Sequence, residues 1–274
     1  MKKDRSTTPL LVLIFVFGLG LLLYPSISNY WNSMHQSRAI TGYSEAVSSI
    51  SAEEYTACLE AARTYNRRIP LRMNAFTPTD EEAAEYATLL DFSGDGVMGY
   101  IEIPAIDVHL PVYHGTSDAV LQVAVGHLDW TALPVGGEST HCVLSGHRGL
   151  PSAKLFTRLD KLVVGDRFMI RVLNEVLTYE VDQVLIVEPQ DVKDLKIVEG
   201  QDLCTLVTCT PYGINSHRLL VRGHRVANEA VAATVNITAE AVQVEPTLVS
   251  AVVGLPLLTL MVLGSLLFGG KKKR

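Results

Sequence analysis

The sequence predicts a mainly β protein: a closed or partly closed barrel that follows a helical region and is flanked by an apolar segment at each end of the chain. Short β-like runs separated by turn clusters recur between residues 99 and 226. Residues 44–90 are rich in helix formers and begin their periodic stretches at helix caps. Uncharged apolar runs lie at 10–23 and 248–268. Together these three observations favour one β domain attached to a membrane.

Length and charge narrow the class of protein. The chain has 274 residues, and the two apolar ends leave roughly 200 for one domain with a substantial core. A formal net charge of -6 gives no electrostatic reason to expect nucleic-acid binding. The four cysteines, at positions 58, 142, 204 and 209, form no Cys-x-x-Cys pair and no zinc-ribbon spacing. A disulfide between two of them remains open at this point.

The two ends predict the membrane topology. Residues 1–29 are expected to form an N-terminal membrane segment, either an uncleaved anchor or a signal peptide. Residues 248–268 are expected to form a C-terminal transmembrane helix, preceded by a linker at 227–247 and closed by a basic tail at 269–274. Since positive residues stay on the cytoplasmic side, both termini should be cytoplasmic and residues 30–245 extracellular.

Residues 30–98 are expected to form a helical region. Ser51 with Glu54 three positions later is a capping box, which starts a helix. Thr79, followed by acidic residues, caps a second helix. The loop near 69–78 lies between the two and is bounded by prolines.

Seven runs with the composition of strands follow in the barrel region, residues 99–226. They are 99–103, 108–113, 141–146, 167–173, 176–188, 203–208 and 218–225. Short helices are expected at 120–126 and at 152–159.

One stretch of the sequence resembles a metal-binding loop. Asp91, Asp95, Gly96 and Glu102 match several positions of a calcium-binding EF-hand loop. An EF-hand loop is followed by a helix, whereas the residues after Gly99 alternate as a strand does and Pro104 disfavours a helix. A turn between helix and strand is therefore the preferred interpretation, and no metal is assigned.

The clearest chemical signal is a cysteine where a buried strand ends. Cys209 follows the apolar run 203–208 and precedes a Pro-containing turn, and Arg218 lies nine positions later on the returning run. A thiolate with a nearby cation suits nucleophilic acyl transfer, which also needs a proton donor for the leaving group. His147, between glycines at the end of an apolar run, is the preferred donor. The residues alone leave other histidines as rivals, namely His114, His127, His141 and His217. A zinc site built from His141, Cys142, His147 and Cys209 is a further alternative.

The motifs around these residues resemble the sortase family. Thr208-Cys209-Thr210 with Arg218 and Ser145-Gly146-His147-Arg148-Gly149 carry the resemblance. Three more motifs extend it, namely Gly99-Tyr100-Ile101-Glu102-Ile103-Pro104, Leu110-Pro111-Val112-Tyr113-His114-Gly115 and Leu133-Pro134-Val135-Gly136-Gly137. The chain looks most like class C sortases, the pilin polymerases of Gram-positive bacteria. This implies an eight-stranded sortase barrel with His147, Cys209 and Arg218 as catalytic residues, and no cofactor.

The resemblance also implies a lid over the active site. In class C sortases an Asp-Pro-aromatic tip closes that site, and here the matching residues are Asn74, Ala75 and Phe76. The aromatic residue is present, but the acid and the proline are absent, so no lid carboxylate can pair with Arg218. We therefore expect a lid formed by Asn74 and Phe76 that is held less tightly. The alternative is that Phe76 packs on the helices as an ordinary loop residue.

The implied partners are pilin precursors or surface proteins that carry a Leu-Pro-x-Thr-Gly-like (LPxTG-like) sorting motif, cleaved between Thr and Gly through a thioester. For a pilin polymerase the acceptor is a lysine amine of the next pilin. Two alternatives remain at this point: a sortase that anchors surface proteins to a peptidoglycan precursor, and a non-catalytic, membrane-tethered module that binds pilin.

Overall fold

The computed structural model describes residues 7–72 and 76–228, with side chains from residue 13 onwards. Within these residues the chain divides into two units, one ending at Tyr30 and the other beginning at Trp31. The predictions of a C-terminal transmembrane helix and a basic tail lie outside the described residues, as does the linker beyond residue 228.

Four α-helices precede or interrupt the sheet. They are α1 (Thr7–Ser49), α2 (Ala52–Arg68), α3 (Asp80–Tyr86) and the short α4 (Asp118–Leu121). In the described part of the chain, α1 is the helix whose length and composition would allow it to cross a membrane. Both predicted caps are present as full capping boxes, in which the side chains of Ser51 and Glu54, and of Thr79 and Glu82, each bond the other residue's backbone N–H.

Eight strands form a closed barrel in the order β1-β2-β3-β4-β7-β8-β6-β5. Their bounds are β1 (Val97–Ile103), β2 (Val108–His114), β3 (Val125–His127), β4 (Thr140–Ser145), β5 (Arg167–Val172), β6 (Glu175–Val187), β7 (Asp202–Thr210) and β8 (His217–Arg225). The pairs β2–β3 and β4–β7 are parallel and the others antiparallel. The mainly β, eight-stranded fold is thus confirmed.

The sequence analysis missed strand β3. It begins within the segment 120–126 that was expected to be helical and ends at His127, whereas the helix there stops at Leu121. A Cβ atom at Gly126 would lie 2.3 Å from the carbonyl oxygen of Gly115, so this glycine lets two backbones approach closely. A three-residue strand centred on glycine has too little pattern to be recognised in sequence.

The expected helix at 152–159 is also wrong. The segment consists of turns and ends in a single 3₁₀ turn at Leu159–Lys161. Leu155 has a φ of +35°, which no α-helix accommodates. Four side chains of the segment are buried in the main core, namely Ala153, Leu155, Phe156 and Leu159.

The turn reading of the EF-hand-like segment agrees with the contacts. One carboxylate oxygen of Asp91 accepts hydrogen bonds from the N–H groups of Gly94 and Gly96, both at 3.0 Å. Glu102 lies on β1, where it pairs with Arg171 on β5 at 3.0 Å. These two acids therefore serve a turn and a strand pair.

The two faces of β4 and β7 belong to different apolar clusters. Leu144 and Leu206 point into the barrel and join its main core. Val143 and Val207 point outward, where they pack with Leu195 and Leu220 in a second, smaller cluster. This separation follows from the alternation of side chains along a strand.

Candidate active site

Strands β7 and β8 bring Cys209 and Arg218 together. Their Cα atoms are register partners in the antiparallel pair, one position before the Thr210–His217 pair that closes the ladder. Directly paired residues of an antiparallel sheet carry their side chains on the same face. Strand β7 runs to Thr210, two residues further than predicted, because β8 supplies backbone partners as far as His217. Cys209 is half-buried there.

His147 follows the end of β4, which lies parallel to β7. The parallel ladder pairs Ser145 with Val207, and the N–H of Gly146 continues it with a 3.1 Å bond to the carbonyl of Val207. The hydroxyl of Thr208 donates to the carbonyl of Gly146 at 2.7 Å, which fastens the end of β4 to β7. His147 is the second residue after the Ser145–Val207 pair on one strand, and Cys209 is the second residue after it on the other.

Two glycines around His147 are required by close packing. A Cβ atom on Gly146 would lie 2.7 Å from the ring of Phe156, and Gly149 adopts a φ of +78° with the ring of Tyr212 beside it. The carbonyl of His147 accepts a 3.1 Å hydrogen bond from the N–H of Phe156. The backbone that carries His147 is therefore fixed from both sides.

The sequence analysis did not single out Arg148, which braces this site. Its side chain is almost fully buried and pairs with Asp160 at 3.0 Å. It also donates to the hydroxyl of Thr210 at 3.4 Å and lies over the ring of Tyr212, 6.0 Å from the centroid. Arg148 thus connects the His147 loop to the turn that follows Cys209. Its position directly after His147 in the Ser-Gly-His-Arg-Gly motif was the available signal.

The guanidinium of Arg218 bonds to its own turn. One terminal nitrogen donates to the carbonyls of Asn215 and His217, at 3.3 and 3.1 Å. A guanidinium has five N–H donors, so donors remain for an incoming oxyanion. The side chain is half-buried, as an anion-binding group at the edge of a groove would be.

The rival histidines are committed to other contacts. His127 is buried between the hydroxyl of Tyr86 and the carbonyl of Ala132. The remaining rivals have these partners: His114 the carbonyls of Gly96 and Leu89, His141 the carbonyl of Lys196 and the hydroxyl of Thr205, His217 the side chains of Ser216 and Glu188. Of the histidines in the described residues, His147 alone has a ring with no polar partner.

The other cysteines differ from Cys209 in their surroundings, although all four are free. Cys142 and Cys204 are buried register partners inside the barrel. Burial raises the pKa of the Cys204 thiol well above its ordinary value, and burial also raises the pKa of Cys58. Cys142 and His141 are adjacent on a strand and point to opposite faces, so the four residues of the alternative zinc site do not converge.

Phe76 packs against the loop between β3 and β4. Its ring meets Trp130 edge-on, with centroids 5.2 Å apart, and it is 37% exposed. Trp130 in turn packs on the outer cluster that contains Val143 and Val207. Asn74 lies outside the described residues.

A cavity of about 540 Å³ opens between this aromatic pair and the segment that joins β6 to β7. Ile69, His141, Leu195 and Ile197 are among the residues that line it. The cavity adjoins the outer cluster through Leu195. The cavity and the outer cluster therefore share Trp130 and Leu195, and the two together are called the groove below.

Comparisons with known proteins show which family this chain resembles. Residues 101–226 match the model of the sortase domain. Sortase D of Bacillus subtilis is 31% identical over 131 residues, which are 47% of this chain and 63% of that protein, so the chain spans less than two thirds of this curated relative. The crystal structure of sortase C1 from Streptococcus agalactiae is 50% identical, with a TM-score of 0.68, and the match covers 70% of this chain and 100% of that one. Sortase C from Streptococcus pneumoniae is 44% identical, with a TM-score of 0.62 and coverage of 70% and 97%.

Proposed function

This chain belongs to the sortase family, and we propose that it is a cysteine transpeptidase that joins pilin subunits during pilus assembly. The observation that carries the proposal is the strand register: Cys209 is paired with Arg218, and His147 lies two residues past the Ser145–Val207 pair that ends β4. Those groups are a nucleophile, an oxyanion donor and a proton carrier, the three that acyl transfer requires.

In the proposed first step, the thiolate of Cys209 attacks the carbonyl carbon of Thr in a Leu-Pro-x-Thr-Gly-like motif. The new C–S bond places negative charge on the carbonyl oxygen, and the guanidinium of Arg218 donates hydrogen bonds to that oxygen. The imidazolium of His147 gives its proton to the departing Gly amine as the C–N bond breaks. A thioester on Cys209 and a neutral imidazole remain.

In the second step, a lysine amine of the next pilin attacks the thioester. His147 takes the proton that this amine loses, and the tetrahedral intermediate expels the thiolate of Cys209. The product is an isopeptide bond between two subunits, and the enzyme returns to its starting ionisation. Each proton is accounted for by the side chains already present.

The proposed partners are pilin precursors with such a motif and the acceptor pilin. Support for pilin comes from the sortase C neighbours: one is the sortase C1 of the group B streptococcal pilus island 1, and the structure of the pneumococcal enzyme bears on pilin substrate specificity. The segment 69–78 between α2 and α3 supports the same class, because it brings Phe76 to the groove. As part of the same proposal, Asn74 and Phe76 form the tip of a lid.

We further propose that the catalytic domain is extracellular and that α1 anchors it. Helix α1 is long and apolar enough to cross a membrane, and the basic start of the chain sets the cytoplasmic end. The C-terminal apolar segment would cross a second time and leave its basic tail in the cytoplasm. Substrates that are themselves held in the membrane would then reach the groove from the same surface.

The test uses the full chain in detergent with a Leu-Pro-x-Thr-Gly peptide and either of two acceptors. One acceptor is a lysine-bearing pilin peptide and the other a short peptidoglycan-stem peptide with a free amine. We expect the isopeptide product with the lysine peptide, and none from the Cys209→Ala variant. Transfer to the stem peptide alone would favour the wall-anchoring alternative. Absence of cleavage with every donor peptide would favour a binding module.

A further inference from the structure

The segment that joins β6 to β7 forms a wall beside the proposed nucleophile. A 3₁₀ turn, Lys193–Leu195, lies within it, and Leu195 packs on Val207 and Leu220. Val207 and Leu220 are register partners on β7 and β8, two residues before the Cys209–Arg218 pair on the same face. Two residues of strand span about 7 Å. Leu195 therefore packs on the outer face about 7 Å along the strands from the Cys209–Arg218 pair.

One side chain fastens this wall to the barrel. Nδ1 of His141 lies 2.8 Å from the carbonyl oxygen of Lys196, the residue that follows the 3₁₀ turn. Among the residues that the structure describes, no other hydrogen bond joins 192–199 to the barrel strands. The next fastening is at Gly200, whose N–H donates to Ser139 at 2.9 Å.

The partners of His141 fix its tautomer. A carbonyl oxygen only accepts, so Nδ1 carries the proton that is donated to Lys196. Nε2 is then an acceptor, and the hydroxyl of Thr205 donates to it at 2.7 Å. His141 is 1% exposed, and this burial lowers its pKa below the ordinary value, which keeps the ring neutral. The neutral imidazole therefore bridges β4, β7 and the wall.

Packing alone leaves the wall room to move. The cavity of about 540 Å³ lies against Leu195, Lys196 and Ile197. A segment with unfilled space on one side has fewer contacts to hold it in a single position. Loss of the His141 bond should therefore let the wall shift, whereas a segment within a packed core would be held by its other contacts.

From these contacts we propose that His141 is a positioning residue, which holds the β6–β7 wall against the groove and so sets the affinity for the sorting peptide. It touches neither the reacting atoms nor Cys209, so it acts through Lys196 and Leu195. The inference rests on the proposed function, because the groove is taken to bind the sorting peptide. It adds a residue to the binding of that peptide rather than to the chemistry.

Two matched variants separate the two nitrogen atoms of His141. In His141→Asn the amide nitrogen occupies the place of Nδ1 and can still donate to Lys196. In His141→Gln the amide lies at the place of Nε2 and can bond only Thr205. Both variants bury one amide and lose one hydrogen bond, so they are comparable in stability and differ in whether the wall is fastened.

The measurement is the steady-state cleavage of a Leu-Pro-x-Thr-Gly peptide by the full chain in detergent. We expect His141→Gln to raise KM roughly fivefold with kcat within twofold of wild type, as the loss of one hydrogen bond implies. His141→Asn should keep KM within twofold. Equal KM values for the two variants, or a loss of kcat in both, would overturn the proposal.

A second readout does not depend on catalysis. Hydrogen exchange of the backbone amides in 192–199 should speed up in His141→Gln and stay near wild type in His141→Asn. Unchanged exchange in His141→Gln would contradict the role of His141, even if the enzyme cleaves peptide normally. If exchange speeds up in His141→Gln but the wild-type chain cleaves no peptide, the role of His141 in holding the wall is supported and the proposed function is refuted.

Discussion

The inner and outer faces of β4 and β7 differ in the side chains that they bear and in how deeply those side chains are buried. The inner face bears Cys142 and Cys204, which are sealed in the barrel core. The outer face bears Val143 and Val207. His147 lies four residues after Val143, and Cys209 lies two residues after Val207. Since side chains alternate along a strand, adjacent residues can serve the fold and the chemistry separately.

The two cysteines of β7 show what this difference teaches. Cys204 and Cys209 are separated by an odd number of positions on β7, so they lie on opposite faces. Cys204 is fully buried, and burial raises its pKa, whereas Cys209 is half-buried at the edge of the groove. The exposure of a cysteine on this strand thus depends on its face and on its distance from the strand end.

Exchanging the two cysteines for alanine tests the comparison most strongly. Cys209→Ala should reduce peptide cleavage by at least about a thousandfold and leave the melting temperature unchanged, because the nucleophile is lost and the core is not. Cys204→Ala should keep kcat and lower the free energy of unfolding by roughly 1 kcal/mol, since it removes a buried atom. Measurements of thermal unfolding and of peptide cleavage for both variants test these two expectations. Substantial activity in Cys209→Ala would contradict the account.

The arginine on the outer face of β8 is the next test. Arg218→Ala should lower kcat about 10²–10³-fold, as expected for removal of an oxyanion donor. Arg218→Lys should recover only part of this loss, because an ammonium lacks the fork of a guanidinium. Arg222 lies on the same face but is bonded to Asp182 at 3.0 Å, so Arg222→Ala is the matched control and should change kcat less than threefold. Equal kcat values for the two alanine variants would refute a special role for Arg218.

Gly146 lies between the last residue of β4 and His147. A Cβ atom there would press on the ring of Phe156, so Gly146→Ala should cost roughly 1–3 kcal/mol of stability and also lower kcat by displacing His147. Gly42→Ala in α1 is the control, because that site is open and alanine favours a helix by about 1 kcal/mol. Chemical denaturation compares the two. A neutral result at Gly146 would show that the His147 loop is looser than the packing implies.

The aromatic contact over the groove should have a smaller effect. Phe76→Ala removes an edge-on pair of about 0.5–1.5 kcal/mol, so alkylation of Cys209 by a small thiol reagent should accelerate a few-fold. Leu71→Ala, at an 80% exposed site in the preceding turn, is the control. An unchanged alkylation rate in Phe76→Ala would mean that the ring does not limit access to the thiol.

The smallest expected effect concerns pH. Burial holds the pKa of His141 below its ordinary value of 6.5, so the unfolded chain binds a proton there before the folded chain does. This contribution to stability is present above pH ~6.5 and is lost as the pH falls below it. The melting temperature of His141→Asn should therefore fall less than that of wild type between pH 7.5 and 5.5. A steeper fall in the variant would indicate that His141 is charged in the folded protein.

The sequence predicted the larger part of the fold because most strands have a strong local pattern. Seven of the strands follow from composition and alternation, and the capping box at Ser51 and the N-cap at Thr79 follow from residue type and spacing. Strand β3 was missed because it is three residues long and depends on the close approach of Gly126 to Gly115. The false helix at 152–159 reflects a backbone shaped by distant contacts, such as that between Phe156 and His147.

The candidate site was predicted in a similar way. The motif positions of Cys209, His147 and Arg218 were available in the sequence, and their roles remain predictions. The supports of the site were not available there, because they join residues far apart in the chain. Arg148 with Asp160, and His141 with Lys196, depend on register and on loop geometry.

The most direct test of the central claim locates the acyl group. The full chain in detergent is mixed with a Leu-Pro-x-Thr-Gly peptide, quenched in acid and digested, and each cysteine-containing fragment is weighed by mass spectrometry. The account predicts a thioester of the peptide's Leu-Pro-x-Thr part on Cys209 and none on Cys58, Cys142 or Cys204. An acyl group on one of those three, or none anywhere while Cys209 is freely alkylated, would contradict it.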